Sequence, residues 1–468
     1  MHAFDWLRGC RLVADRTLRR PSPGIVVGGS PMRVWRVSGR ADTLLDEATA
    51  VGRTSHLDDA ATELFARMVR AGMLHPVFPP PGIERNDVAV VIPVFNHADH
   101  IAEAVHAGSA IGQVTVVDDV STDESAAVAR HAGARLIYRN ENGGPSAARN
   151  EGAAATDGEL IVFIDADCVP DPGTLEAMLR HFEDPALGAV APRIREGGTQ
   201  ATGLLHRYEV ARSPLDLGRE PGPVRPDARV SYIPTATMAV RREAFEAVGG
   251  FDESLRFGED VDFVWRLDAA GWNVRYEATV TARHRPRRVL LDVVSRRWAY
   301  GTSAGPLARR HPEALAAVRA SPWTLAAWLA MVAGRPEMAA VLLLWSWLRL
   351  RRVLEGIPDR GLLSGHLVCR GFVGMTRPLA SALTRSWGPL TVVTIATRSR
   401  LRYRLVALVV AGLAMEWWER KPDLDPLTFS VMAVLDDLVY CGGVWEGCVR
   451  SRRLAPLLPR TGRPRMGR

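Results

Sequence analysis

The residues best suited to chemistry in this sequence are carboxylates that recur just after short apolar runs. Phe163-Ile164-Asp165-Ala166-Asp167 closes one run in a D-x-D. Two carboxylates on one side of a turn can share a hard cation such as Mg2+ or Mn2+, which keeps positions open for substrate phosphates. Another run, Val116-Val117-Asp118-Asp119, continues to Asp123 and puts acids at a strand tip, where they can accept hydrogen bonds from a base or ribose. One of Ser121, Thr122 and Asp123 is expected to cap the next helix. Pro93 and Asn96 end the first run. Asn142-Gly143-Gly144 opens a helix carrying Arg149 and Asn150; the glycines allow close backbone approach, and a helix N-terminus favours anions. Further on, Gly249-Gly250-Phe251-Asp252 precedes Gly258-Glu259-Asp260-Val261-Asp262. Three acids in four residues exceed what a helix start needs, which frees one as a general base on a hydroxyl. His284, among Arg283, Arg285 and Arg287, is a further candidate ligand for metal or phosphate, although its setting reads as surface.

These side chains need strands to position them. Apolar strands start near Val88, Val114, Arg135 and Leu160, roughly 20 to 26 residues apart, with polar or helical segments between. That alternation predicts βα units and a parallel sheet, whose ligands bind at the carboxyl ends of the strands. No G-x-G-x-x-G follows any strand, which argues against a dinucleotide cofactor. The parts describe one reaction. A metal on Asp167 neutralises a diphosphate leaving group, the acids at Asp118 and Asp119 read a nucleoside, and Asp260 deprotonates an alcohol attacking the sugar's anomeric carbon. A single base without a carboxylate nucleophile points to inversion.

Six motifs in order carry a resemblance: Pro93 to Asn96, Asp118 to Asp123, Asn142 to Asn150, Asp165 to Asp167, Gly249 to Asp252 and Glu259-Asp260. Together they resemble a family 2 glycosyltransferase of the GT-A fold, an α/β domain with a Rossmann-like, mainly parallel sheet. The resemblance implies a nucleotide-sugar donor bound through Pro93, Asn96, Asp118, Asp119, Arg149, Asp165 and Asp167. It also implies uracil contact at Asp119, metal at Asp167 with Asp165, and Asp260 beside Glu259 as the base. Cys168 departs from the pattern, since many members carry a further acid there. The tail, with Trp417-Trp418, Leu424-Asp425-Pro426-Leu427 and Asp436 to Trp445, is similar to mycofactocin-system glycosyltransferases. That likeness implies a peptide-derived acceptor, UDP-glucose as donor and a β-linked oligoglucoside product.

The flanks set the domain plan. Residues 1–82 read as a small α+β module: a strand over Met32–Val37, a helix through Leu57 to Met68 stopped by Gly72, and a linker Phe78-Pro79-Pro80-Pro81-Gly82. The family resemblance likens it to peptide-recognition domains of the PqqD type. Residues 83–290 form the catalytic domain and 291–468 a helical, partly apolar region. There, Trp323–Ala333 and Met338–Leu348 are each half a membrane span, broken by Gly334-Arg335-Pro336-Glu337, and Leu405–Trp418 is also short. A packed helical hairpin and insertion into one leaflet both fit. The arginines at 283, 285, 287, 288, 296 and 297 suit anionic lipid.

Composition narrows the classes. Among 59 basic residues only Lys421 is a lysine, and its motif fits no phosphate-loop, kinase, Schiff-base or pyridoxal chemistry. The five cysteines form no C-x-x-C, which argues against a zinc site and suits a reducing compartment. Residues 1–20 lack the apolar core of a signal peptide, so a cytoplasmic location is expected, with peripheral attachment to the inner face of the membrane. Arginines not interleaved with aromatics argue against nucleic acid. A transferase acting on a polyprenyl phosphate or cell-wall glycan, and a non-catalytic nucleotide-sugar-binding protein, are the alternatives.

Overall fold

A computed structural model describes residues 4–50, 54, 57–78, 87–197, 203–285, 289–397 and 400–462 of the chain. The expected linker residues 79–82 and Arg287 and Arg288 lie outside them. Contacts divide the chain into two units. One comprises Met1–Arg19, Val26–Ala201 and Arg212–Pro286; the other comprises Arg20–Ile25, Thr202–Ala211 and Arg287–Arg468.

At the N-terminus lie strands β1 (Arg11–Ala14), β2 (Arg19–Ser22), β3 (Ile25–Gly28) and β4 (Arg33–Arg36), helices α1 (Gly39–Ala50) and α2 (Asp59–Arg70), and strand β5 (Leu74–Val77). β1 pairs antiparallel with β5. Asp58 caps α2 by accepting from the Ala61 N–H, and Leu12, Leu45, Phe65 and Met68 close a core around it. The strand over Met32–Val37 and the helix ending before Gly72 are where the sequence put them. Buried Asp15 accepts from His75 Nε2 at 2.9 Å and from Arg229 Nη2 at 3.3 Å, which ties these residues to the sheet that follows.

That sheet grows from βα alternation. β6 (Val88–Val94), α3 (Ile101–Ser109), β7 (Gln113–Asp118), α4 (Ser125–His131), β8 (Arg135–Tyr138), α5 (Gly144–Ala154) and β9 (Leu160–Ile164) follow in turn. β9 is buried throughout and β6 almost so, the pattern of strands covered on both faces. Then come β10 (Cys168–Pro170), α6 (Thr174–Leu179), β11 (Leu187–Glu196), α7 (Leu204–Arg212), β12 (Gly222–Pro223), β13 (Thr237–Arg241), α8 (Arg242–Ala247), α9 (Glu259–Ala269) and β14 (Asn273–His284). The order is β10-β14-β11-β13-β9-β6-β7-β8, with β12 on β14. β9, β6, β7 and β8 run parallel, whereas β13 is antiparallel to β9 and β11, so the sheet is parallel at one side and mixed at the other. This is the GT-A arrangement. The strand order turns outward on both sides of β6, and the loops after β6, β7, β8 and β9 all end at one crevice.

The second unit is helical: α10 (Leu290–Thr302), α11 (Ala304–Arg310), a short strand β15 (Val318–Ala320), α12 (Pro322–Ala333), α13 (Pro336–Val353), α14 (Arg360–Gly374), α15 (Thr376–Arg385), α16 (Gly388–Ala396), α17 (Leu401–Arg420), α18 (Pro426–Ser451) and β16 (Pro459–Thr461). α12 and α13 are the two expected apolar segments, and Gly334 in the left-handed region turns between them. α18 packs so closely on α10 that a Cβ at Gly443 would lie 2.0 Å from the Trp298 carbonyl oxygen.

Gly152 sets the seat of α5 on the sheet: a Cβ there would meet Val91 Cγ1 at 2.4 Å and Val117 Cγ2 at 3.0 Å. Gly152→Val is therefore expected to lower stability by about 1–3 kcal/mol and to displace the helix carrying Arg149. A denaturant melt followed by circular dichroism checks the first, and the UDP affinity of the folded fraction checks the second.

Candidate active site

The loops after β6 and β7 are held to one another by side chains. Asn96 and Val120 both lie at positive φ, and Asn96 Oδ1 accepts from the Thr122 N–H at 2.8 Å. Asp118 accepts from the Ser121 N–H at 3.2 Å. The expected cap is not among Ser121, Thr122 and Asp123: Glu124 stands at the N-cap of α4 without a side-chain capping bond, and Asp123, one residue earlier, accepts from the Ser125 N–H at 3.0 Å. Asp119 accepts from Arg139 and from the Gly143 and Gly144 N–H groups at 3.0 and 2.8 Å. The amides that the sequence offers to a bound anion are thus already engaged by this carboxylate, because the loops after β7 and β8 sit side by side.

Arg149 stands at the centre of the crevice with its side chain 3 % exposed. Its Nη2 donates to Asp165 Oδ1 at 2.5 Å, its Nη1 lies 3.6 Å from Glu259 Oε1, and its guanidinium sits 5.6 Å from the Phe251 ring centroid. It meets protein carboxylates rather than facing open solvent as a phosphate fork would. Asn150, the next residue, receives the Phe251 N–H on Oδ1 at 2.9 Å and donates to the Phe251 carbonyl at 2.9 Å. Gly249 and Gly250, both at positive φ, make that turn possible. One helix therefore carries the anchor for the D-x-D and the anchor for the loop leading to Glu259 and Asp260.

The three acids of α9 divide their work. Asp262 is buried and paired with Arg266 Nε at 2.7 Å, and Arg266 also donates to the carbonyls of Val248 and Gly250. Asp260 accepts from the Val261 N–H at 2.7 Å. Burial, and then the charge of neighbouring Glu259, push the Asp260 carboxyl up to about 7. Burial also raises Glu259, against the pull of Arg149.

Asp167 faces His284, with Oδ2 3.4 Å from Nε2. The surface reading of His284 is corrected: its side chain is 16 % exposed, wedged between two carboxylates. The reason is register. β14 lies between β10 and β11, with Cys168 and Glu196 both opposite His284, so the D-x-D, the histidine and Glu196 converge. His284 Nδ1 is 3.0 Å from Glu196 Oε2, and Ser213 Oγ donates to Glu196 Oε1 at 2.7 Å. Burial disfavours the charged ring, but Asp167 and Glu196 outweigh it and raise its pKa to about 10. Glu196 was missed in the sequence, although β11 ends in an acid just as β7 does and as Asp165 follows β9. Cys168 points into the core toward Thr237 Oγ1 at 3.2 Å. Among the described residues no three His, Cys, Asp or Glu side chains form a metal-ligating cluster.

A family model described as Glycosyl transferase family 2 matches residues 89–249. A pre-mycofactocin glycosyltransferase of Mycobacterium tuberculosis is 36% identical over 466 residues, covering 96% of this chain and 97% of the relative. The chain belongs to the family 2 glycosyltransferases, among those of the mycofactocin system. It is a nucleotide-sugar-dependent transferase. The glycosyltransferase AglE of Haloferax volcanii is 27% identical over 229 residues, covering 46% of this chain and 71% of that one. Among solved structures, a mannosyltransferase from Pyrobaculum calidifontis, in complex with GDP-Man and Mn2+, aligns with a TM-score of 0.47 at 17% identity, over 79% of this chain and 89% of that one.

The contact from Nδ1 to Glu196 leaves Nε2 of His284 as the nitrogen aimed at Asp167. Glu196→Gln is expected to weaken Mn2+ binding about 10- to 100-fold with little change in the melting profile, and Asp167→Ala to abolish metal-dependent UDP binding. Mn2+ titration by electron paramagnetic resonance and UDP calorimetry check both.

Proposed function

We propose that this enzyme moves glucose from UDP-glucose, with inversion, onto a hydroxyl of a peptide-derived acceptor of the pre-mycofactocin class, extending a β-linked oligoglucoside in the cytoplasm. The observation that carries the chemistry is Asp260: a carboxyl held near 7, beside the crevice where Arg149 gathers Asp165 and Glu259. A base works best when its pKa lies near the working pH, and a protein that only bound nucleotide sugars would have no use for one. The acceptor class is supported by the near full-length likeness to the Mycobacterium tuberculosis protein, which takes in most of residues 1–82 as well as the catalytic domain. We assign those N-terminal residues the handling of the acceptor's peptide-derived part.

The residues present fit a divalent cation. Asp167 offers an oxygen donor, and facing it His284 offers a nitrogen donor once an incoming cation displaces its proton; before that, Asp165, Asp167, Glu196, Glu259 and Asp260 outnumber the cations Arg149 and His284. A crevice with that balance repels a diphosphate unless a cation accompanies it. Mg2+ or Mn2+ would be held by Asp167 and His284, and when bound it neutralises the diphosphate leaving group. The remaining work belongs to the chain. Asp118, Asp119 and Asn96 order the loops beside the nucleoside, Arg149 fixes the D-x-D turn, and Asp260 takes the proton of the acceptor hydroxyl as its oxygen attacks the anomeric carbon from the face opposite UDP.

Asp260→Asn is expected to bind UDP normally yet transfer no sugar, as read by intact-mass analysis of the acceptor; retained turnover refutes the base. In the parent enzyme kcat/KM should fall about tenfold per pH unit below about 7, where Asp260 is protonated. The sign for stability is opposite. An unfolded Asp ionises near 3.8 while the folded one holds its proton to about 7, so this group destabilises the fold as pH rises between the two. Asp260→Asn should accordingly raise the melting temperature at pH 8 and not at pH 4.

A further inference from the structure

We propose that the second unit seats on an anionic lipid bilayer through the outward faces of α17 and α18, without any helix crossing it. This rests on the cytoplasmic placement proposed above and is independent of which acceptor is used.

The charge of the sequence is split. Residues 287–468 hold 27 arginines and one lysine against 12 acids, a net of +16, while residues 1–286 hold 31 arginines against 40 acids, a net of −9. The strongly cationic half is also the half with uncovered apolar faces. On α17, Leu405, Leu408 and Leu413 are buried, whereas Val406, Val410 and Trp418 are exposed, Trp418 by 73 %. That outward face carries no charge between Arg404 and Glu419, about 22 Å of helix. α18 packs beside α17 and exposes Leu427, Val431 and Leu435 at successive four-residue steps, at 74 %, 51 % and 59 %. Arg400, Arg402 and Arg404 stand at one end of α17 and Arg420 and Lys421 at the other. Apolar stripes bounded by arginines, with tryptophan at the margin, match the headgroup boundary of an anionic leaflet. A second copy of this chain fits less well, because each copy would bring its own +16.

α18 has the length and composition to cross a membrane, and among the described residues it is the one helix that does. Its middle opposes crossing. Asp436 pairs with Arg297 Nε at 2.6 Å and receives the Tyr208 hydroxyl at 3.1 Å, and Asp437 receives the Thr384 hydroxyl at 2.7 Å. Arg297 in turn reaches Glu209 at 2.8 Å. Crossing would strip a buried ion-pair network from the packed core around Phe429 and Ala433, at a cost that one apolar stripe does not offset. α18 therefore lies with one face toward lipid and the other in protein.

The test is flotation of the full-length protein with phosphatidylglycerol-containing vesicles and with pure phosphatidylcholine vesicles, at low and high salt, followed by a carbonate wash. The expected result is binding to the anionic vesicles, release by carbonate, and at least about tenfold weaker partitioning for the triple variant Leu427→Ser, Val431→Ser, Leu435→Ser. A melting curve and UDP calorimetry on that variant report whether it remains folded and competent, which separates failure here from failure of the transferase reading. Should the variant misfold, Trp418→Ser alone is expected to lower partitioning in the same direction. Equal binding to neutral vesicles, no binding, retention after carbonate, unchanged partitioning in both variants, or a parent dimer by light scattering that the triple variant abolishes would each overturn the proposal.

Discussion

The buried guanidinium of Arg149 is the interaction on which the catalytic crevice depends. It joins the end of β9, through Asp165, to the start of α9, through Glu259, and rests on Phe251 from the loop between them. A charge removed from water costs several kcal/mol, and taking away one partner of a buried pair costs roughly 3–5 kcal/mol. Nε and Nη1 of Arg149 have no hydrogen-bond partner among the described residues, so the side chain holds its place by ion pairing and packing. Such an arrangement is weak as a source of net stability. It is strong as a constraint, since neither acid can move without stranding the cation.

That constraint reaches the rest of the domain through α5. The helix is seated by Gly152 on β6 and β7, and its next side chain after Arg149, Asn150, grips the Gly250–Phe251 turn. Phe251 then packs against Phe163 of β9 and Phe263 of α9. Polar anchors and an aromatic cluster thus fix the same loop from two sides. On the other side of the D-x-D, β14 performs the corresponding service for Asp167 by presenting His284 backed by Glu196.

The parts of this design that were legible in sequence are those written locally. Continuous apolar runs such as Leu160–Ile164 mark covered strands, and acids at the ends of two of them, Asp118-Asp119 and Asp165, mark the crevice, so β6 to β9 and these candidate acids could be read directly. The parts that were not legible depend on pairing between distant segments. His284 looked exposed because its neighbours in sequence are arginines, and only the β10–β14 and β11–β14 registers bring it to Asp167 and Glu196. Asp119 and the Gly143–Gly144 amides each looked like free ligand groups, and each satisfies the other. α18 escaped notice because Asp436-Asp437 and Gly442-Gly443 interrupt its apolar pattern; the acids meet Arg297 and Thr384, and Gly443 admits α10.

Burial, the charge of Glu259 and the lack of a cation of its own together leave one acid reactive. Arg149 lies within reach of Asp165 and Glu259, and Asp262 has a partner of its own in Arg266. Asp260 is the carboxyl that remains, with a single backbone N–H where its neighbours have guanidinium groups. A second arginine beside it would lower the Asp260 pKa and make its carboxylate a weaker base for an alcohol near neutral pH. The burial and like charge that cost the folded state stability above pH 4 are what tune the base. Glycine-rich turns and long-range strand register determine where Asp260 stands, but its burial, the charge of Glu259 and the absence of a guanidinium partner determine what it can do.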